Sequence, residues 1–208
     1  MGSMNSNIPA DYDKYNSQFG NDKEVIGWSW WDTLTYTTAV TTQLTFFNGV
    51  RANLSLSNME LAGQLASPKS FLVRAIRVKP LTPYFVTLDN AAAAIQLGAI
   101  DDMNNLINTG TLSFTIGQKN YGQWPLWMLP SGGGAVAINA GAAVANTTQL
   151  ANNGIQDPRS VYSLTKPILI APQINFNIVL TWPAAVTLNS GTQNIVVVLD
   201  GDLIRPIQ

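Results

Sequence analysis

The chain has 208 residues, a net charge of −1, no cysteine and no histidine. Only 11% of the residues are charged, against about a quarter in an ordinary soluble domain. Disulfides, thiolate metal sites, a cysteine nucleophile and any Ser-His-Asp arrangement are therefore excluded. The commonest general base is missing, and nothing favours wrapping nucleic acid.

The scarcity of charge is patterned. No charged residue lies between Asn120 and Gln156, or between Pro167 and Leu199, yet both tracts hold aromatic and β-branched residues. Disordered tracts lack such residues, so these read as folded. A soluble monomer normally shows both charge signs over its surface, and the shortage here points to surface covered by other subunits.

Residues 1–27 are polar and aperiodic, and are expected to form a flexible arm that orders on docking. Residues 28–208 are expected to form one domain. Met1, Gly2 and Ser6 fit a loose myristoylation pattern, but an added Met-Gly-Ser ahead of Met4 explains them better. No basic segment leads into an apolar stretch, so no signal peptide is expected. No apolar run reaches about 18 residues, so no transmembrane helix is expected. Trp28, Trp30 and Trp31 then arrive together ahead of the first expected strand. Their two readings are core packing and an inter-subunit anchor.

From Thr33 to Phe47 the residues alternate, with Leu34, Tyr36, Val40, Leu44 and Phe46 on one face. This predicts one long half-buried strand. A second strand runs from Ser70 to Lys79 and stops at Pro80 and Pro83. With Lys69 beside it, it carries Arg74, Arg77 and Lys79, the one basic cluster in the chain. Such cations blunt a strand edge or form a stripe facing phosphate, from a genome or a lipid headgroup. A helix is predicted over about 89–108, with Asp89 as N-cap and Ala92, Ile95, Ala99, Met103 and Leu106 as its apolar stripe. Asp101 and Asp102 lie about 100° apart around it and read as solvated surface charge.

Thr111 to Gly117 alternates strictly, whereas 121–154 reads as a loop with short strand pieces. Ile168, Ile170, Ile174, Phe176, Ile178, Leu180 and Trp182 fall on even positions, predicting one strand with a bend or edge at Pro172. Asn194 to Leu199 is apolar on both faces, as in a central strand. Asp200, Gly201 and Asp202 lack the remaining ligands of a calcium loop and read as a tight turn or bulge. The pattern is all-β: an antiparallel β-sandwich of jelly-roll type with one inserted α-helix, since the length exceeds that of an immunoglobulin-like domain.

No catalytic, cofactor or metal site is expected. Ser131 to Gly134 is not followed by the Gly-Lys-Ser/Thr of a phosphate loop. Two glutamates and ten aspartates are a thin supply for a hydrolytic carboxylate pair. Tyr121, Trp124 and Trp127 either stack a sugar or base or pin a loop to the core.

Pro172 to Pro183, followed by a polar turn and Ile195 to Pro206, resembles the closing strand pair of the upright jelly-roll capsid proteins of icosahedral, tailless bacteriophages. The resemblance covers about a quarter of the chain directly, and the length suits one barrel rather than two. It implies a non-enzymatic structural protein of the virion, a self-assembling capsid subunit without a cofactor. Its partners would be further copies and other capsid subunits. An internal membrane or genome would be met through Lys69, Arg74, Arg77 and Lys79, without sequence-specific recognition of nucleic acid. Trp28, Trp30, Trp31, Trp124 and Trp127 are the candidate interface residues. The 31 Asn and Gln residues suit such contacts, because amides bridge an interface without the desolvation cost of charge. The alternatives are a carbohydrate- or receptor-binding spike domain using Tyr121, Trp124 and Trp127, a carboxylate-dependent glycosidase, and a pore-forming protein.

Overall fold

Alternating apolar side chains close one core between two four-stranded antiparallel sheets. A computed structural model describes residues 23–51, 53–81, 102–133, 136–140, 147–151, 156–189 and 191–207. The strands are β1 (Lys23–Thr37), β2 (Gln43–Phe46), β3 (Ser70–Leu81), β4 (Thr111–Ile116), β5 (Lys119–Pro125), β6 (Ser131–Gly133), β7 (Val136–Ala140), β8 (Thr147–Ala151), β9 (Gln156–Val161), β10 (Ser163–Ile170), β11 (Phe176–Thr181) and β12 (Thr192–Pro206). The first sheet has the order β1-β12-β3-β10 and the second β2-β11-β4-β5. Two small ribbons, β6-β9 and β7-β8, fall between β5 and β10 in the chain.

The pairing is nested. β1 pairs with β12, β2 with β11, β3 with β10, and β4 with β5. The chain thus doubles back as one antiparallel ribbon whose tip is the β4-β5 hairpin. Wrapping that ribbon brings β12 against β3 and β11 against β4, which completes both sheets. Each link between β1 and β4, and between β10 and β12, passes from one sheet to the other.

Several expected boundaries move as a result. β1 begins at Lys23 and pairs with β12 along its whole length, from Lys23 opposite Pro206 to Thr37 opposite Thr192. Residues 23–27 of the expected arm are therefore strand, and the three tryptophans lie within β1; residues 1–22 are outside the described residues. The expected strand over 33–47 breaks after Thr37, where Ala39 takes a φ of 54° and the chain crosses to β2. Val40 consequently leaves the core face and is 75% exposed. Pro172 likewise marks a change of sheet. Ile170 and Phe176 are both buried, but in opposite sheets, and Ile174 between them is exposed. Tyr121 to Pro125, expected within a loop, belongs to a strand that starts at Lys119 and pairs with β4. Asp200 to Asp202 lies inside β12 at a bulge, not at a turn.

Aromatic rings fill the core. Tyr36 and Trp182 meet edge to face at 4.8 Å, and Trp30 meets Phe71 at 6.4 Å. Residues 102–109 are helical, with Met103 and Leu106 buried; the remainder of the expected helix lies outside the described residues. Trp182 donates its indole N–H to the Leu106 carbonyl at 3.0 Å, which fastens the helix end to the second sheet. The reading of Asp102 as solvated is overturned. It is fully buried and accepts hydrogen bonds from the Asn189 backbone N–H and side-chain amide at 2.8 and 3.0 Å. Helical spacing gave its angle but not the segment that packs over it.

Gly110 follows the helix where a Cβ would come within 2.5 Å of Leu126 Cδ1 and 2.7 Å of Trp182 Nε1. Gly110→Ala is expected to destabilise the fold by about 1–3 kcal/mol through overpacking, measured as a lower urea midpoint with an unchanged m-value.

Candidate interaction surfaces

Three ion pairs join the strands of the first sheet. On β3, Arg74 and Arg77 differ in parity, so an unbroken strand would send one of them into the core. A bulge prevents this: Asp200 pairs with Ala75 and Gly201 with Val73, leaving Arg74 as the additional residue on β3. Arg74 Nε then reaches Asp202 Oδ2 at 2.6 Å. Arg77 grips Asp200 with two nitrogens, Nε at 2.5 Å and Nη2 at 2.9 Å, and donates Nη1 to the Ser131 carbonyl at 3.1 Å. Ser29 Oγ, from β1, donates to the same Asp200 at 2.6 Å. At the strand ends Glu24 and Arg205, opposite one another in register, form a further pair.

The bulge depends on glycine. A Cβ on Gly201 would stand 1.9 Å from the Leu72 carbonyl oxygen of β3, which is backbone and has no room to yield.

The four cations of the expected basic stripe are thus largely compensated. Lys69 pairs with Glu60 at 2.5 and 2.7 Å, Arg74 with Asp202 and Arg77 with Asp200. Lys79 borders a cavity of about 160 Å³ lined also by Met103, Ile107, Leu126 and Trp127. Burial, and then the positive charge of Arg77, hold its ammonium below the usual lysine range.

The tryptophans separate. Trp30 is 3% exposed and packs in the core, so its place among interface candidates is corrected: the inward face of β1 puts it against Phe71. Trp28 and Trp127 are exposed, and Trp31 and Trp124 are half-buried. Trp31 donates its indole N–H to Leu54 O at 3.0 Å, placing the exposed Leu54 loop over the edge of β1. Asn58 in that loop covers the edge itself, accepting from Trp31 N and donating to Ser29 O, each at 2.8 Å. No local pattern announces this amide, because its partners are 27 and 29 residues away.

Tyr121, Trp124 and Trp127 do not line one site. Trp124 borders a groove of about 370 Å³ with Thr111, Ser113, Gln123, Pro125 and Thr181 on the second sheet; Trp127 borders the cavity beside Lys79. The groove's hydroxyls were legible only as the polar half of two alternating strands. Neither opening has an acidic residue in its lining. The six acidic side chains that are described are all engaged, Asp32 with Arg51 at 3.3 Å and the others as above. Among the described residues no group of three or more acidic side chains could hold a metal ion, and no helix is long and apolar enough to cross a membrane.

Arg77→Ala is expected to cost about 1–2 kcal/mol in chemical denaturation, since it strips Asp200 of two charged hydrogen bonds at a partly exposed site. Lys79 gives a pH test. The unfolded chain keeps this proton to higher pH than the folded one, so folded stability rises as pH climbs toward the unfolded lysine value of about 10.4. Lys79→Met should therefore be more stable than the parent at pH 7, with the difference narrowing toward pH 10.

Comparison with protein-family models finds no match to the chain, and comparison with curated proteins finds none either.

Proposed function

We propose that the chain is a structural protein of a virion, a capsid subunit of jelly-roll fold that works by self-association rather than by catalysis. Fold alone does not give function, and the observation that carries this reading is the surface. A well-filled core leaves large apolar side chains outside, including Trp127 at 60%, Val50 at 54%, Leu54 at 67% and Trp28 at 44% exposure. Four of the exposed residues, Val50, Leu54, Leu56 and Leu61, come from the single connection between β2 and β3. Exposed apolar surface beyond scattered single residues marks contact with a partner, and an assembly of identical subunits supplies one at every copy.

Two further observations support the reading. An antiparallel ribbon of four nested strand pairs, wrapped into two four-stranded sheets, favours the jelly roll among eight-stranded double-sheet folds. The segments resembling capsid proteins of tailless bacteriophages become β11 and β12, consecutive strands in opposite sheets. In this reading three of the four cations of the basic stripe are held by carboxylates, and Lys79 is the one of those four left to meet a membrane or genome. Size-exclusion chromatography with light scattering, together with electron microscopy, should show concentration-dependent oligomers or particles. A strictly monomeric protein at high concentration would overturn the proposal.

The second-sheet groove favours one other reading, a carbohydrate-binding spike domain, because it sets an indole beside three hydroxyls and an amide. It makes a narrower demand than sequence alone: Trp124→Ala should abolish binding on a glycan array while Trp127→Ala leaves it intact. Absence of binding would remove this reading.

A further inference from the structure

Charge is divided unequally between the two sheets. Among the described residues, β1, β3, β10 and β12 carry ten charged residues. The four strands of the second sheet carry one, Lys119, at the tip of the β4-β5 hairpin. The inward half of the second sheet is core, with Phe46, Leu112, Phe114, Phe176, Ile178 and Leu180 buried. The outward half carries uncharged side chains, mostly hydroxyls and amides with Val179 among them, and includes the groove beside Trp124. Register places Thr45, Val179, Ser113 and Gln123 in one row across all four strands, with Asn177 beside Thr115 in the next.

We infer that the outward face of the second sheet is the contact between copies of this chain, meeting the same face of a second copy about a two-fold axis. The inference rests on the self-association proposed above and adds which surface is used. Charge complementarity selects the occupant. A face without charge gives no preference for an acidic or basic partner and pays no desolvation of ions when covered. Hydroxyl and amide groups both donate and accept, so such a face complements itself, as a two-fold contact requires. The ion pairs of the first sheet would instead have to be desolvated or set against their own images.

The dimensions decide the strength. Four strands about 4.8 Å apart, of four to seven residues at about 3.3 Å each, form a patch of about 20 by 20 Å. Two such patches cover about 800 Å², short of the roughly 1,200 Å² at which stable interfaces begin. One contact of this kind is weak and reversible, and it persists only when each copy is held by other neighbours as well. That is the behaviour of a shell subunit, which must correct its errors while assembling.

The experiment is a charge swap in the full chain, read by sedimentation velocity over a concentration series. Thr45→Lys with Ser113→Lys places two cations on the face without touching the core, and Thr45→Glu with Ser113→Glu places two anions. Each double variant should associate at least about tenfold more weakly than the parent, because like charges meet across the axis. An equimolar mixture of the two should recover association to about the parental level. Recovery also certifies that both variants are folded, and thermal unfolding of each alone provides the same check. Parental association unchanged in the folded variants would overturn the assignment of this face and leave self-association standing. Loss without recovery on mixing would overturn the two-fold arrangement. A parent that stays monomeric throughout would remove the self-association reading itself, and a glycan bound by the parent but not by the Lys variant would give the face a different occupant.

Discussion

At Gly201 the backbone of β12 passes so close to the Leu72 carbonyl of β3 that no side chain fits between them. β12 is the one strand of the first sheet that pairs with β1 along its full length and also holds β3, from Asn194 opposite Leu81 to Ile204 opposite Ser70. The bulge at this approach shifts the parity of β3. On one side of it Ile76 and Val78 face the core, and on the other Phe71 and Val73 do. Both cannot hold in a strand of strict period two. Gly201 thus allows β3 to bury apolar residues on both sides of the bulge while Arg74 and Arg77 reach Asp202 and Asp200 outside.

A wrapped ribbon crosses between sheets repeatedly, and buried polar groups secure the crossings. Asp32, fully buried in β1, accepts from the backbone N–H of Phe47 at 2.7 Å and of Thr33 at 3.1 Å, and meets Arg51. It ties the first sheet to the end of β2, where Phe47 adopts a φ of 63°. Tyr36 does similar work at the other end of β1, its hydroxyl accepting from Val186 N at 2.7 Å. Asp102 holds Asn189 beside the helix. Each of these groups would be costly to bury unpaired, so each connection is held in one place by the need to satisfy it.

The low charge of the chain acquires a location from this arrangement. Among the described residues, three of the five ion pairs join strands of the first sheet, Arg74 with Asp202, Arg77 with Asp200 and Arg205 with Glu24. The second sheet, the apolar connection over the β1 edge and the opening beside Trp127 are the surfaces left for a neighbour under the self-association proposed above.

Alternation by itself determined which halves of β4 and β11 are buried, because period two is a local property of extended backbone, whereas the centre of β12 is apolar on both faces and only the fold selects Ile195, Val197 and Leu199 for the core. It also revealed an all-β sandwich and the low charge that points toward assembly. It did not decide which strands share a sheet: Ile170 and Phe176 have the same parity and the same burial, and only the wrap puts them in opposite layers. It also gave Asp102 the wrong surroundings, expected in solvent, and it grouped Arg74 with Arg77 without showing the bulge that puts them on one face or the carboxylates that meet them. Both gaps have one physical cause. A residue's parity is set by its neighbours in sequence, whereas its burial and its charge partner are set by segments such as Asn189 and Asp202, 87 and 128 residues away, which only the tertiary structure brings near.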